Sequence, residues 1–414
     1  MEKCKYCKKC GGCDYQGHSY EKQLAKKQSY IENLLAPVLL KNGYKKEEAE
    51  RLFQPIIGTE NPYHYRNKVH GVFGVGRNKK TICGTYEKNS HHVVDIENCQ
   101  IENETAVKMI RGIKDMMSSF KLAPYDEDRR TGVMRHVLIR VGEKVTGDGS
   151  VSPEYMVVLV TGSKEFPGKK NFVKEMVKRY PEITTVVWNI NDKKTSMILG
   201  EKEEVLYGNG FVTDTLLGMN YRISSKSFYQ VNKRQTEKLY QTAMEFAGDA
   251  SELLLDAYCG TGTIGMSMAH RAKKVIGVEL NKAAVKDAKQ NAKENGIKNI
   301  EFVCGDAGEY LLKVAKEKTA TDGMTQSDKK IPDVVIMDPP RSGSSKDFLN
   351  SLLKIKPERI VYVSCGPESL KRDLEYLLRP KHGKRLYRLE AIQPIDMFPM
   401  TKHTEVICKL VRTN

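Results

Sequence analysis

A chain of 414 residues exceeds what one ordinary core needs and is expected to fold as two domains plus a small appended element. Its 68 lysines and arginines against 52 aspartates and glutamates leave a net charge of +16, which favours a polyanionic partner: RNA, DNA or an acidic membrane surface. No run of about 18 apolar residues is present and the amino terminus, MEKCKYCKKC, lacks the apolar core of a signal peptide; a membrane-spanning or secreted protein is thereby disfavoured and the cytoplasm expected. In that compartment the ten cysteines point to metal where they cluster, and to packing or nucleophilic chemistry where they are isolated.

Residues 1 to about 18 are too polar to build a core, and Cys4, Cys7, Cys10 and Cys13 recur there at every third position. By spacing alone, all four could hold zinc or contribute to an iron-sulfur cluster. From Tyr20 to about Leu40, Leu24, Tyr30, Ile31, Leu34 and Leu35 recur at roughly helical spacing among lysines. This predicts a basic amphipathic helix, its lysine face either solvated or RNA-binding. Between about residues 55 and 225 the pattern shifts to short β-rich runs: HVLIRV (136–141), YMVVLV (155–160) and TTVVWNI (184–190). They predict an α+β domain of mainly antiparallel strands, with exposed loops across the glycine- and serine-containing stretch 142–153.

From Gln230 onward, helix-like and strand-like segments alternate, as in a parallel sheet covered by helices. The predicted strands are LLLDAY (253–258), KVIGVEL (274–280), IEFVCG (300–305), DVVIMD (333–338) and RIVYVSC (359–365). The polar stretch 316–330 is expected to be a flexible surface loop. RLYRLEAI (385–392) and EVICKLV (405–411) would form an antiparallel hairpin closing the sheet edge.

Asp256 to Thr263 reads DAYCGTGT, directly after a predicted strand and before a helix-like segment. Gly260 and Gly262 allow the backbone to pass close to a ligand. Glu279 ends the next strand about twenty residues on, where a carboxylate can accept from both ribose hydroxyls, and Asp306 ends the third, placed to meet an adenine edge. Gly260, Gly262 and Gly265 also satisfy the spacing of a nicotinamide-binding turn. The later motifs weigh against hydride transfer, because they supply a thiol and no hydride-acceptor site. Those motifs are DPPRSG (338–343), ending the fourth strand, and SCGP (364–367), ending the fifth. In an open parallel sheet, ligands bind beyond these carboxyl ends, so Cys365 would face the cofactor. Taken singly, a cysteine at a strand end is usually buried packing, the reading expected for Cys83, Cys304 and Cys408, and Glu405 in MFPMTKHTE (397–405) would be a surface carboxylate.

Together, the segments resemble the iron-sulfur-containing RNA uracil-C5 methyltransferases, in particular those acting on 23S ribosomal RNA, over nearly the whole chain. The resemblance implies an α/β fold: a Rossmann-like class I methyltransferase domain (226–414), a central α+β RNA-binding domain (51–225), and a cysteine-rich element with the basic helix (1–50). It implies S-adenosylmethionine bound by Gln230, Tyr258, Gly260, Thr263, Glu279, Asp306 and Asp338, and a [4Fe-4S] cluster on Cys4, Cys10, Cys13 and Cys99, leaving Cys7 free. Cys365 is implied as the nucleophile and Glu405 as the base, with His403 the alternative base. The chemistry is consistent with those types. Uracil C5 is too weak a nucleophile to accept a methyl group until a thiolate adds at C6, and C5 must then lose its proton before the thiol leaves. Many relatives carry an RNA-binding TRAM domain before the cysteines, where this sequence begins directly, so RNA affinity is expected to come from elsewhere. Many also have Asn at the position of Gly366 and a polar residue at that of Met400. The partner implied is RNA, with no membrane and no obligate protein partner. The competing readings are a tRNA uracil-C5 enzyme, a cytosine enzyme, which would need a second cysteine where Pro340 stands, and a non-catalytic RNA-binding protein keeping the cofactor fold.

Overall fold

The computed structural model describes residues 3–88, 90–249, 251–320, 331–380 and 384–413. Two compact units emerge, each threaded by more than one segment of chain: Met1–Ser19 with Asn61–Lys233 and Pro399–Thr401, and Tyr20–Glu60 with Arg234–Phe398 and Lys402–Asn414. The basic helix, Tyr20–Lys41, thus counts with the second unit and not with the cysteines, which moves the boundary expected at residue 50. Its Ile31, Leu35, Val38 and Leu39 are buried in that unit's core beside Phe348, Leu374 and Ile392, so packing decides its membership.

The first unit carries strands β1 (Lys68–Val75), β2 (Thr81–Tyr86), β3 (Val93–Asp95), β4 (Met134–Val145), β5 (Val151–Thr161), β6 (Ile183–Ile190) and β7 (Lys202–Tyr207) in one sheet, ordered β3-β2-β1-β4-β5-β6-β7, plus the hairpin β8 (Phe211–Leu216) and β9 (Met219–Ser224). All pairs are antiparallel except β5 with β6. The exposed loops expected across 142–153 shrink to the turn 146–150, because Gly142 to Val145 pair with Glu154 to Val151 and continue the β4–β5 ladder. Backbone pairing overrides the weak strand propensity of glycine and serine there.

The second unit is built on strands β10 (Ser251–Ala257), β11 (Ala272–Glu279), β12 (Ile300–Cys304), β13 (Val334–Met337), β14 (Arg359–Ser364), β15 (Tyr387–Ile395) and β16 (Glu405–Arg412), ordered β12-β11-β10-β13-β14-β16-β15. The first five run parallel; β16 pairs antiparallel with β14 and with β15, closing the edge as the sequence predicts. Valine- and isoleucine-rich runs such as Val334–Met337 and Ile360–Val363 are fully buried, as strands covered on both faces require. The helix Ala307–Ala320 occupies the start of the expected 316–330 loop, and 321–330 lies outside the described residues. No helix among the described residues is long and apolar enough to cross a membrane.

Candidate active site

The chain moves outward from β10 in both directions, to β11 and β12 on one side and to β13 and β14 on the other, so the strand order reverses beside β10. Such a switch point opens a crevice at the carboxyl ends of the strands. Five of the cofactor residues expected in this unit belong to three strand ends there: Tyr258, Gly260 and Thr263 follow β10, Glu279 closes β11 and Asp306 follows β12.

The turn after β10 is conformationally demanding. Tyr258 takes a left-handed φ of 66°, strain of roughly 1–3 kcal/mol for a residue with a side chain. Gly262 has φ 80°, and a Cβ there would sit 2.7 Å from the Phe302 ring, so only glycine fits. A Cβ at Gly260 would meet open space, which leaves room for a ligand. Glu279 is held from behind: its Oε2 accepts from the Gly260 N–H at 3.1 Å and its Oε1 from the Asn281 N–H at 2.7 Å. Asp306 Oδ1 accepts from the Gly308 and Glu309 N–H groups at 2.8 and 3.0 Å, capping the helix it precedes. The Thr263 and Tyr240 hydroxyls lie 2.7 Å apart. Beneath the turn, buried Asp256 accepts from the Gly265 N–H at 2.7 Å, and burial pushes its carboxyl up to about 8.

The second cluster follows from strand register. Arg359↔Val411 through Ser364↔Val406 pair β14 with β16; Cys365 follows the last residue of β14 and Glu405 opens β16 just before Val406, so both stand at the same end of this ladder. Glu405 is 2 % exposed. Burial and then the Asp338 charge push its carboxyl up to about 8, with Arg341 opposing. Burial, then Glu405 and Asp338, push the Cys365 thiol up to about 11, again against Arg341. Burial alone carries Asp338 to about 7. A thiol, two carboxyls and a guanidinium therefore share one electrostatic environment. Glu405 is not the surface carboxylate that an isolated reading suggests.

Sequence reasoning missed the groups that shape this loop. Asp373, fully buried, accepts from the Ser344 N–H at 2.9 Å, the Tyr362 hydroxyl at 2.7 Å and Arg372 Nε at 2.8 Å, anchoring the end of DPPRSGS. Gly366 is packed so tightly that a Cβ would fall 2.6 Å from the Arg341 carbonyl oxygen, so the Asn of many relatives does not fit this loop conformation. Cys83 and Cys408 are buried as expected, whereas Cys304 is exposed because it ends edge strand β12.

Gln230 belongs to the first unit, where its carbonyl accepts from Asn67 Nδ2 at 3.1 Å. The cysteine pattern is in that unit too. Burial raises the Cys10 and Cys13 thiols and carries Cys99 to about 12. Cys4 and Cys10 act on Cys13, Cys4 acts on Cys10, and Cys13 acts on Cys99. Against that burial, the backbone N–H of Gly12 lowers the Cys10 thiol, and those of Ile101 and Glu102 lower the Cys99 thiol. Among the described residues, no three His, Cys, Asp or Glu side chains converge as a ready metal site.

Comparison with known proteins identifies the family. Residues 192–413 match the family model of the tRNA (uracil-5-)-methyltransferases. An uncharacterized RNA methyltransferase of Oceanobacillus iheyensis is 37 % identical over 97 % of this chain and 81 % of its own length. Another, of Clostridium acetobutylicum, is 39 % identical over 99 % and 83 %. Among solved structures, the Pyrococcus abyssi tRNA (uracil-54, C5)-methyltransferase in complex with S-adenosyl-L-homocysteine superposes with a TM-score of 0.73 at 25 % identity, covering 97 % of this chain and 86 % of that one. The chain belongs to the tRNA (uracil-5-)-methyltransferase family and is an S-adenosylmethionine-dependent RNA uracil-C5 methyltransferase.

Proposed function

We propose that this enzyme methylates C5 of a uridine in 23S ribosomal RNA, with Cys365 as nucleophile and Glu405 as base. The observation that supports the mechanism is that Cys365 and Glu405 stand at one end of the β14–β16 ladder, within electrostatic reach of each other and of Asp338 and Arg341. Cys365, which is partly exposed, gives its proton to solvent water, and its thiolate sulfur bonds to uracil C6, moving the C5–C6 electron pair onto C5 and the O4 carbonyl. The sulfonium of S-adenosylmethionine supplies the methyl group to C5. Glu405 then takes the C5 proton, the C5–C6 double bond re-forms, and the Cys365 thiolate leaves. Arg341 offsets the negative charge of the site while the thiolate exists. Tyr258, Gly260, Thr263, Glu279 and Asp306, with Asp338, hold the donor, Glu279 through the ribose hydroxyls and Asp306 through the adenine edge. The target base must leave its stack to reach the thiol.

The ribosomal assignment and a [4Fe-4S] cluster on Cys4, Cys10, Cys13 and Cys99 belong together. Their support is the cysteine spacing and the chain of electrostatic contacts that runs from Cys4 and Cys10 to Cys13 and from Cys13 to Cys99. Methyl transfer moves no net electrons, so the cluster's place is to order the amino-terminal element. The family name and the archaeal structure favour a second reading, tRNA as substrate. Methylation of unmodified 23S rRNA and tRNA transcripts side by side separates the two. Labelling of tRNA alone would reject the ribosomal assignment.

A further inference from the structure

We propose that Lys27 is a positioning residue for proton abstraction, its buried ammonium clasping the loop that presents Glu405; this rests on Glu405 being the base. Within the helix Tyr20–Lys41, Lys27, Ile31 and Leu35 follow at i, i+4 spacing, so Lys27 falls on the apolar stripe, and all three are wholly buried. Its Nζ donates to Asp396 Oδ1 at 2.5 Å, to the Phe398 carbonyl at 3.0 Å and to the His403 carbonyl at 2.8 Å. An ammonium has three protons, and three acceptors meet it. Phe398 and His403 bound the turn before β16, and His403 precedes Glu405 by two residues.

Asp396 is itself immobilised. Its Oδ2 accepts from the Tyr20 hydroxyl at 2.8 Å, its N–H donates to the Ile57 carbonyl at 2.9 Å, and its carbonyl accepts from Gln235 Nε2 at 3.0 Å. The Tyr20 hydroxyl in turn accepts from the Thr59 N–H at 2.9 Å. The ammonium thus ties both ends of the 398–403 loop to a fixed carboxylate. The β15–β16 ladder restrains Glu405 from the strand side, at Ile395, and Lys27 restrains the backbone leading into it. Stability alone would be served as well by an apolar pair, since replacing a buried ion pair with packed hydrophobes is often neutral or stabilising. Apolar side chains, however, offer the two loop carbonyls no donor.

The test compares two paired replacements in the full chain. Lys27→Met/Asp396→Leu removes the charges and the donor; Lys27→Gln/Asp396→Asn removes the charges but keeps N–H donors for the carbonyls. Thermal midpoint and S-adenosylmethionine affinity confirm folding. The apolar pair should lower kcat by about 10–100-fold, the cost of a small misplacement of a reacting group, with KM for RNA little changed. It should also accumulate a covalent protein–RNA adduct, because thiol addition and methyl transfer still proceed. The amide pair should recover most of kcat and release the adduct. Wild-type kcat in the folded apolar pair, a loss of rate without adduct, or equal behaviour of the two pairs would each overturn the proposal. Glu405→Gln runs alongside: if it forms no adduct the base assignment fails, whereas adduct there and none with the apolar pair fails Lys27 alone.

Discussion

Replacing Glu405 by glutamine should change stability and catalysis in two separable ways. Burial and the Asp338 charge raise its carboxyl from 4.5 to about 8, and the side chain is 2 % exposed, so solvent screens little of the effect. At about 1.4 kcal/mol per pH unit, holding the carboxylate ionised in the fold costs on the order of 5 kcal/mol. The folded value lies above the unfolded one, so the wild type keeps this group's full stabilising contribution below about pH 4.5 and loses it as pH rises through about 8. Glutamine does not titrate. The stability of Glu405→Gln relative to wild type should therefore grow by a few kcal/mol between about pH 4.5 and pH 8 and level off above, read from urea unfolding across that range. In catalysis, the amide nearly keeps the carboxylate's shape but cannot take the C5 proton, so a denaturing gel should show a slow-migrating species requiring both RNA and cofactor. Combining the change with Cys365→Ala should abolish that species. A stability difference independent of pH would refute the burial argument, and normal turnover without adduct would make His403 the next base.

Three further outcomes are expected. Anaerobically purified protein should contain iron and absorb in the visible; Cys99→Ser should lose both, Cys7→Ser neither, and zinc without iron would reject the cluster. RNA affinity should fall steeply with salt, by roughly a thousandfold from 50 to 200 mM if about six phosphates are contacted, as the net charge of +16 suggests, and a flat salt titration would reject a large RNA substrate. Gly366→Asn should lower activity at least several-fold while S-adenosylmethionine still binds, because its Cβ meets the Arg341 carbonyl at 2.6 Å; wild-type kcat would show that the loop relaxes freely.

Much of the second unit was legible because its strands are short valine- and isoleucine-rich runs punctuated by glycine, proline and carboxylates at their ends, a pattern that places Tyr258, Glu279, Asp306, Asp338 and Cys365 at the same side of the sheet. The closing hairpin was legible too, as two apolar segments. What its register does was not: that Cys365 and Glu405 come to the same end of the sheet depends on which residues of β14 and β16 pair, and composition carries no register. Lys27 and Asp373 were illegible for another reason. Lysine and aspartate are read as solvated by default, and their burial depends on partners more than a hundred residues away for Lys27 and on a backbone N–H and a tyrosine hydroxyl for Asp373. The stretch 142–153 misled in the opposite direction, since its glycines and serines continue a ladder that the neighbouring strand dictates.

The central claim is tested most directly by incubating unmodified 23S rRNA with the enzyme and S-adenosylmethionine bearing a deuterated methyl group, then identifying the labelled nucleoside by tandem mass spectrometry. The wild type should yield deuteromethyl-labelled 5-methyluridine, and Cys365→Ala, still binding the cofactor, should yield none. Label on cytosine or on a ring nitrogen, or label undiminished in Cys365→Ala, would contradict the account.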